Sequence, residues 1–197
     1  MLMMEPKPEN TLVVSHWAKL FEGLHVSSQE LYSLIEQCVK SREVPEVQSS
    51  RVDWHEGGTF SAKREYLRLN RADLDYYVCA APYGNGFFVS SRLTTPKGMN
   101  WLLVIPLAIL GFLFITFILL KIFGFLGIIL SFGAAVAGII YLINMNKLTF
   151  YRIDTAQMFQ QVVHQSLMEA VDQMTKAAGI TPLSEGERKP VMHELFR

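Results

Sequence analysis

The stretch WLLVIPLAILGFLFITFILLKIFGFLGIILSFGAAVAGIIYLI, Trp101 to Ile143, decides how the rest of the chain is read. It carries one charged residue, Lys121. A run of about 18 apolar residues already reads as a membrane span, and a helix needs about 20 to cross the hydrocarbon. This run is about twice that, too long for one straight helix through a layer about 30 Å thick. The sequence therefore predicts two helices, about 101–119 and 125–144, folded as a transmembrane hairpin with Lys121 to Gly124 at the turn. In lipid every backbone amide must bond within its own segment, which favours helices over irregular chain. Pro106 falls near the start of the first helix, where its missing donor costs least. Trp101 is placed at the interface, and Lys121 is expected to snorkel to the headgroups at the far surface. A re-entrant wedge that stops inside the bilayer is the alternative. Either form leaves both chain ends on one side.

Charge chooses the side. Arg92, Lys97, Lys147 and Arg152 flank the apolar run, against Lys121 alone within it. Positive flanks stay inside, so the termini are expected in the cytoplasm, at an inner or plasma membrane. The opening MLMMEPKPEN offers no apolar core for a secretory signal. Cys38 and Cys79 are too few for a disulfide framework and fit a reducing compartment as buried thiols.

The second helix carries a stripe of small residues. Gly127, Ser131 and Ala135 are spaced by four, Gly138 follows at three, and Gly133 and Ala137 form another such pair. Small residues at this spacing let helix backbones approach closely in lipid. The stripe can pack on the first helix of the same hairpin, or on other copies to make a homo-oligomer. Neither helix holds an ionisable side chain at depth, which argues against a proton relay or ion-transport site.

The flanking segments read as α+β. A helix is expected from Asn10 or Thr11 to Leu24, with Val13, Val14, Trp17, Leu20, Phe21 and Leu24 on one side. Ser27 and Glu30 form a capping-box pattern ahead of Leu31, Leu34, Ile35, Cys38 and Val39, the spacing of a buried helical face. Past Pro45 the period changes: VQSSRVDW, TFSAKREYLRLNR, DYYVCAAP and GFFVSSRL read as about four antiparallel strands. Turn formers separate them at Glu56 to Gly58, Asn70 to Asp73, and Tyr83 to Gly86. Beyond the membrane, an amphipathic helix runs from Asp154 or Thr155 to about Ala178, with Phe159, Val163, Leu167, Ala170, Val171 and Met174 on one face. Its other face holds His164, Gln165, Glu169, Asp172 and Lys176, too acidic for an anionic leaflet, so it is expected to pack on protein. Near the end, Pro190 is expected to open a short last helix, in preference to a capping box at Ser184 and Glu187. The fold expected is thus an α+β membrane protein: a cytoplasmic domain over 1–98, the hairpin over 99–145, and a cytoplasmic helix and tail over 146–197.

Recognisable chemistry is sparse. Lys plus Arg number 18 and Asp plus Glu 18, so charge gives no nucleic-acid footprint, and nucleic acid is not an expected partner. The five histidines form no HExxH and the cysteines no metal-ligand spacing. No P-loop, GxGxxG or GxSxG occurs, so no cofactor or metal is expected. The best catalytic pair that can be assembled is Cys79 as nucleophile with His55 as base. Lys63, Arg64, Arg68 and Arg71 cluster on one strand, either as a solvated face or as a headgroup contact. The function expected is a non-catalytic, membrane-anchored interaction or scaffold protein, self-associating through the second helix, with a membrane-perturbing or pore-forming assembly as a sharper variant. Its partners are then the bilayer, its own copies and a further protein. The alternative is a membrane-bound enzyme acting on a lipid or membrane-proximal protein through the His55 and Cys79 region.

Overall fold

The computed structural model describes residues 11–55, 63–96, 101–145 and 149–192, without the side chains at 55, 101–104 and 142–145. The Glu56 to Gly58 turn, the linker around Gly98, Lys147 and the last residues from His193 lie outside the described residues, as does the Trp101 side chain. The chain divides into one compact unit, Met1–Lys97 with Asp154–Arg197, and a second, Gly98–Ile153.

The compact unit is an antiparallel six-stranded sheet with helices on one face. Its elements are β1 (Thr11–Glu22), α1 (Ser28–Ser41), β2 (Gln48–His55), β3 (Lys63–Arg71), β4 (Leu74–Tyr83) and β5 (Gly86–Pro96). After the second unit come α4 (Phe150–Ala177), α5 (Glu185–Arg188) and β6 (Val191–Met192). Strand order is β2-β3-β4-β5-β1-β6. Strands β2 to β5 form a meander with two-residue loops at Ala72-Asp73 and Gly84-Asn85. Gly84 takes φ +58 at the first loop position, where a glycine meets no side-chain clash. Ala72 holds a similar left-handed φ of +53 without that freedom.

The expected first helix is wrong: residues 11–22 are strand β1. Paired apolar residues such as Val13-Val14 and Leu20-Phe21 satisfy a helical period and a strand period alike. The choice is made by partners distant in sequence, since β1 pairs with β5 from Thr11↔Pro96 to Glu22↔Gly86. A register shift between Val13 and Ser15 turns both Val14 and Ser15 inward. Trp17 and Phe21 follow on the same face, while Leu20 points out.

Helix α1 is capped by Ser27 as expected, its hydroxyl accepting from the Gln29 N–H at 3.3 Å, while no Glu30 bond completing a capping box is seen among the described residues. It buries Leu31, Tyr32, Ile35, Cys38 and Val39. Tyr32 ties it to the sheet: its hydroxyl donates to the Glu65 carbonyl (2.8 Å) and accepts from the Ala80 N–H (2.9 Å). Helix α4 lies on the same face, where Phe159, Val163, Leu167 and Val171 join Leu67, Val78, Phe87 and Leu93 in one core. Both faces of β4 are buried, so LDYYVCA reads as a continuous run instead of an alternation. The last helix is expected to open at Pro190, but Val191–Met192 is strand β6, and the residues from His193 lie outside the described residues. Helix α5 precedes Pro190, with the Glu187 carboxylate accepting from the Ser184 N–H at 3.0 Å, and Val191–Met192 pairs with Ser15 and His16 of β1.

The second unit holds α2 (Trp101–Phe123) and α3 (Phe125–Met145), joined through Gly124 at φ +59. Lys121 is in the last turn of α2, not in the connection, and its Nζ lies 5.8 Å from the Phe117 ring centre. Among the described residues one helix, over Ile105–Phe123, is long and apolar enough to cross a membrane, and none of its side chains there is buried. The apolar stretch described for α3, Phe125–Tyr141, is shorter.

Candidate functional site

Cys79 and His55 sit on different strands. Cys79 is a buried free thiol on the sheet face away from the helices, opposite Tyr66 and Ser90, and the Tyr66 hydroxyl bonds to it. The register places Val52, not His55, in the row of Cys79. The His55 backbone is two strands over and three positions along, about 14 Å away by strand spacing. Its side chain lies outside the described residues.

The four β3 cations divide by alternation. Lys63 and Arg71 share the face of Leu67 and Leu69, whereas Arg64 and Arg68 take the other. Lys63 pairs with Asp53. Arg68 grips Asp75 with two prongs, at 2.7 and 3.2 Å. Asp75 is 6 % exposed and also accepts from the Asn70 amide at 2.8 Å, so this Arg68 contact is built into the sheet. Beside it the Trp54 ring lies against Tyr77 at 4.7 Å and Tyr66 at 5.1 Å.

The small residues of α3 divide as well. A Cβ on Gly127 would fall on the Leu119 carbonyl, so this glycine lets α2 and α3 meet backbone to backbone. Ser131 is buried and donates to the Ile128 carbonyl of its own helix at 2.9 Å. Ala135 is half-buried, and Gly133 and Gly138 face open space.

A buried polar cluster of the compact unit lies between α4 and the sheet. Strands β4 and β5 bring Tyr76 and Ser91 to the covered face in adjacent rows. The Tyr76 hydroxyl is 2.9 Å from Ser91 Oγ and 3.2 Å from His164 Nδ1. His164 Nε2 is 2.6 Å from the Arg188 carbonyl. A carbonyl only accepts, so Nε2 carries a proton and donates to it. In the neutral ring Nδ1 then accepts from Tyr76, whose oxygen accepts from Ser91.

The C-terminal segment closes over this chain. Trp17 packs edge-to-face on His164 at 6.1 Å and donates its indole N–H to the Glu187 carbonyl at 2.6 Å. Lys19, further along the same strand face, pairs with the Glu187 carboxylate. Arg188 holds Asp172 of α4 with two prongs, at 2.7 and 2.9 Å, and donates Nε to the Leu183 carbonyl. Alongside runs an open groove of about 680 Å³ in which Arg42 pairs with Glu169 at 3.0 Å.

Burial holds the His164 imidazole below its ordinary pKa, outweighing the upward pull of the Arg188 carbonyl. Burial likewise pushes the Tyr76 hydroxyl far up. The Glu187 carboxyl is held down at about 2, first by the Lys19 hydrogen bond and then by the Ser184 N–H. Ser91 Oγ touches Tyr76 and not the imidazole, and no carboxylate orients the ring among the described residues. A nucleophile needs a base within reach and an open approach; this chain instead ties β4, β5, α4 and α5 together. Among the described residues no three His, Cys, Asp or Glu side chains are grouped to hold a metal.

Sequence spacing misses this cluster because it assigns His164 to the polar face of α4. The structure buries His164 together with Gln160 and Met168, since the C-terminal segment covers a flank that the sheet does not. The signal was the Ser184 and Glu187 pattern, which marked an ordered turn 20 residues beyond His164. The chain matches no known family model, no curated protein and no solved structure.

Proposed function

We propose that the protein is a membrane-anchored, non-catalytic interaction protein in which α2 and α3 cross the bilayer as a two-span hairpin. Both parts of the compact unit then lie on the cytoplasmic side of an inner or plasma membrane. The observation that carries this reading is the exposure of α2: Leu107 is 75 % exposed, and no side chain from Ile105 to Phe123 is buried. Such a surface is stable in lipid and a liability in water. Helix α3 runs from Phe125 to Met145, about 31 Å of helix, enough for a second crossing. The hydroxyl of Thr116 supports the same reading by bonding within its own helix, to the Phe112 carbonyl at 2.7 Å. Arg92 and Arg152 flank the two helices on the proposed cytoplasmic side.

Self-association is part of the proposal, with its seam moved. Gly127 and Ser131 are occupied by the α2 contact, so copies meet on the opposite side of α3, at Gly133 and Ala137. The test is the mass of the purified chain in nanodiscs over a range of concentrations. A defined oligomer that Gly133→Leu or Ala137→Leu reduces to monomer is the expected result. A wild-type monomer throughout contradicts self-association. An oligomer indifferent to both substitutions contradicts the seam.

A further inference from the structure

We propose that the segment from Ser184 to Met192 is an acid-released latch, held closed by neutral His164 and opened when the ring takes up a proton. The contacts are local and few. Trp17 and Lys19 of β1 hold Glu187, Asp172 holds Arg188, His164 holds the Arg188 carbonyl, and two residues of β6 pair with Ser15 and His16. His164 is an imidazole whose ring bonds the segment directly, and His16 of β1 is a second imidazole beside β6. Glu187 stays ionised down to about pH 2, so its bond to Lys19 outlasts the change.

The closed form receives a second proton on His164 poorly. Both ring nitrogens are already engaged, by Tyr76 and by the Arg188 carbonyl, and Trp17 packs on the ring. A proton on Nδ1 forces the Tyr76 hydroxyl to turn its hydrogen to Ser91, and it brings a charge to a position only 8 % exposed. Among the described residues no carboxylate bonds the ring to repay that cost: Asp172 is taken by Arg188 and Glu169 by Arg42. In the groove, Lys176 adds a further positive charge. Lifting the segment hydrates the ring. It also wets two buried side chains with no hydrogen bond among the described residues: the Gln160 amide, one turn before His164, and the Ser15 hydroxyl in the strand that β6 pairs with.

The sign follows from linkage. A histidine whose pKa is lowered in the closed form stabilises that form above the free value near 6.5, and the stabilisation is lost as pH falls. The open fraction therefore rises by up to about tenfold for each pH unit below 6.5, until the pKa of the closed form is reached. Opening frees the backbone of Ser15 and His16 at the sheet edge. This inference stands on the compact unit alone and does not depend on the membrane reading.

The test is hydrogen–deuterium exchange of the full chain in detergent at pH 7.5 and 5.5, corrected for intrinsic rates. Peptides covering 184–192 and the start of β1 are expected to lose protection about tenfold at pH 5.5, while α1 and the β3–β4 hairpin keep theirs. His164→Gln, neutral at both values, is expected to abolish that difference. Lys19→Met is expected to raise exchange of 184–192 at both pH values by the same factor. Equal protection at the two values in the wild type overturns the latch, as does loosening spread evenly over the unit. Retention of the pH effect in a folded His164→Gln chain assigns it to another group and overturns the role of His164.

Discussion

The two units of this chain treat the same kind of side chain in opposite ways. In the compact unit, Leu67, Leu93 and Val163 are wholly enclosed by the sheet and its helices. In the helix pair, Phe114, Phe125 and Leu126 are about two-thirds exposed or more, though no less apolar. The first unit makes its own apolar solvent, and on the proposed membrane reading the second takes it from lipid. The polar groups divide in parallel. Those of the compact unit reach across elements, as Tyr32, Arg68 and His164 do, whereas among the described residues Thr116 and Ser131 bond within their own helices.

Truncation breaks this comparison most sharply. Leu67→Ala leaves a cavity in the sheet core and is expected to lower stability by about 2–5 kcal/mol, read from chemical denaturation of the compact unit. Leu107→Ala removes as many atoms and is expected to change that transition by less than about 0.5 kcal/mol. Equal effects would mean that α2 is buried by something other than lipid.

Within the helix pair the contrast is between glycines. Gly127→Ala places a methyl on the Leu119 carbonyl and is expected to destabilise the α2–α3 contact by about 1–3 kcal/mol, followed as loss of helicity in mixed micelles. Gly133→Ala meets nothing and is expected to be neutral or slightly stabilising. The smallest effect belongs to the sheet. Ala72→Gly relieves a left-handed alanine at the β3–β4 loop and is expected to gain about 0.5 kcal/mol, seen as a raised denaturation midpoint.

What the sequence discloses follows the same division. The apolar run from Trp101 is legible because its pattern is long, uniform and local. Strands β2 to β5 and helices α1 and α4 are also legible, because short loops and amphipathic spacing are local properties. Strand β1 is not, since Val13 to Phe21 fits two periods and only its pairing with residues 86–96 decides between them. The cluster at His164 is hidden for the same reason. Its partners Trp17, Tyr76, Ser91 and Arg188 come from four separate elements, and nothing near His164 in sequence announces them.

The central claim is that the helix pair is solvated by lipid while the compact unit is not. It is tested most directly by expressing the full chain, isolating membranes and extracting them with alkaline carbonate. This account predicts that the protein stays in the membrane pellet and leaves it only with detergent. Release into the carbonate supernatant as a folded, soluble protein would contradict it, and the exposed face of α2 would then need a protein partner to cover it.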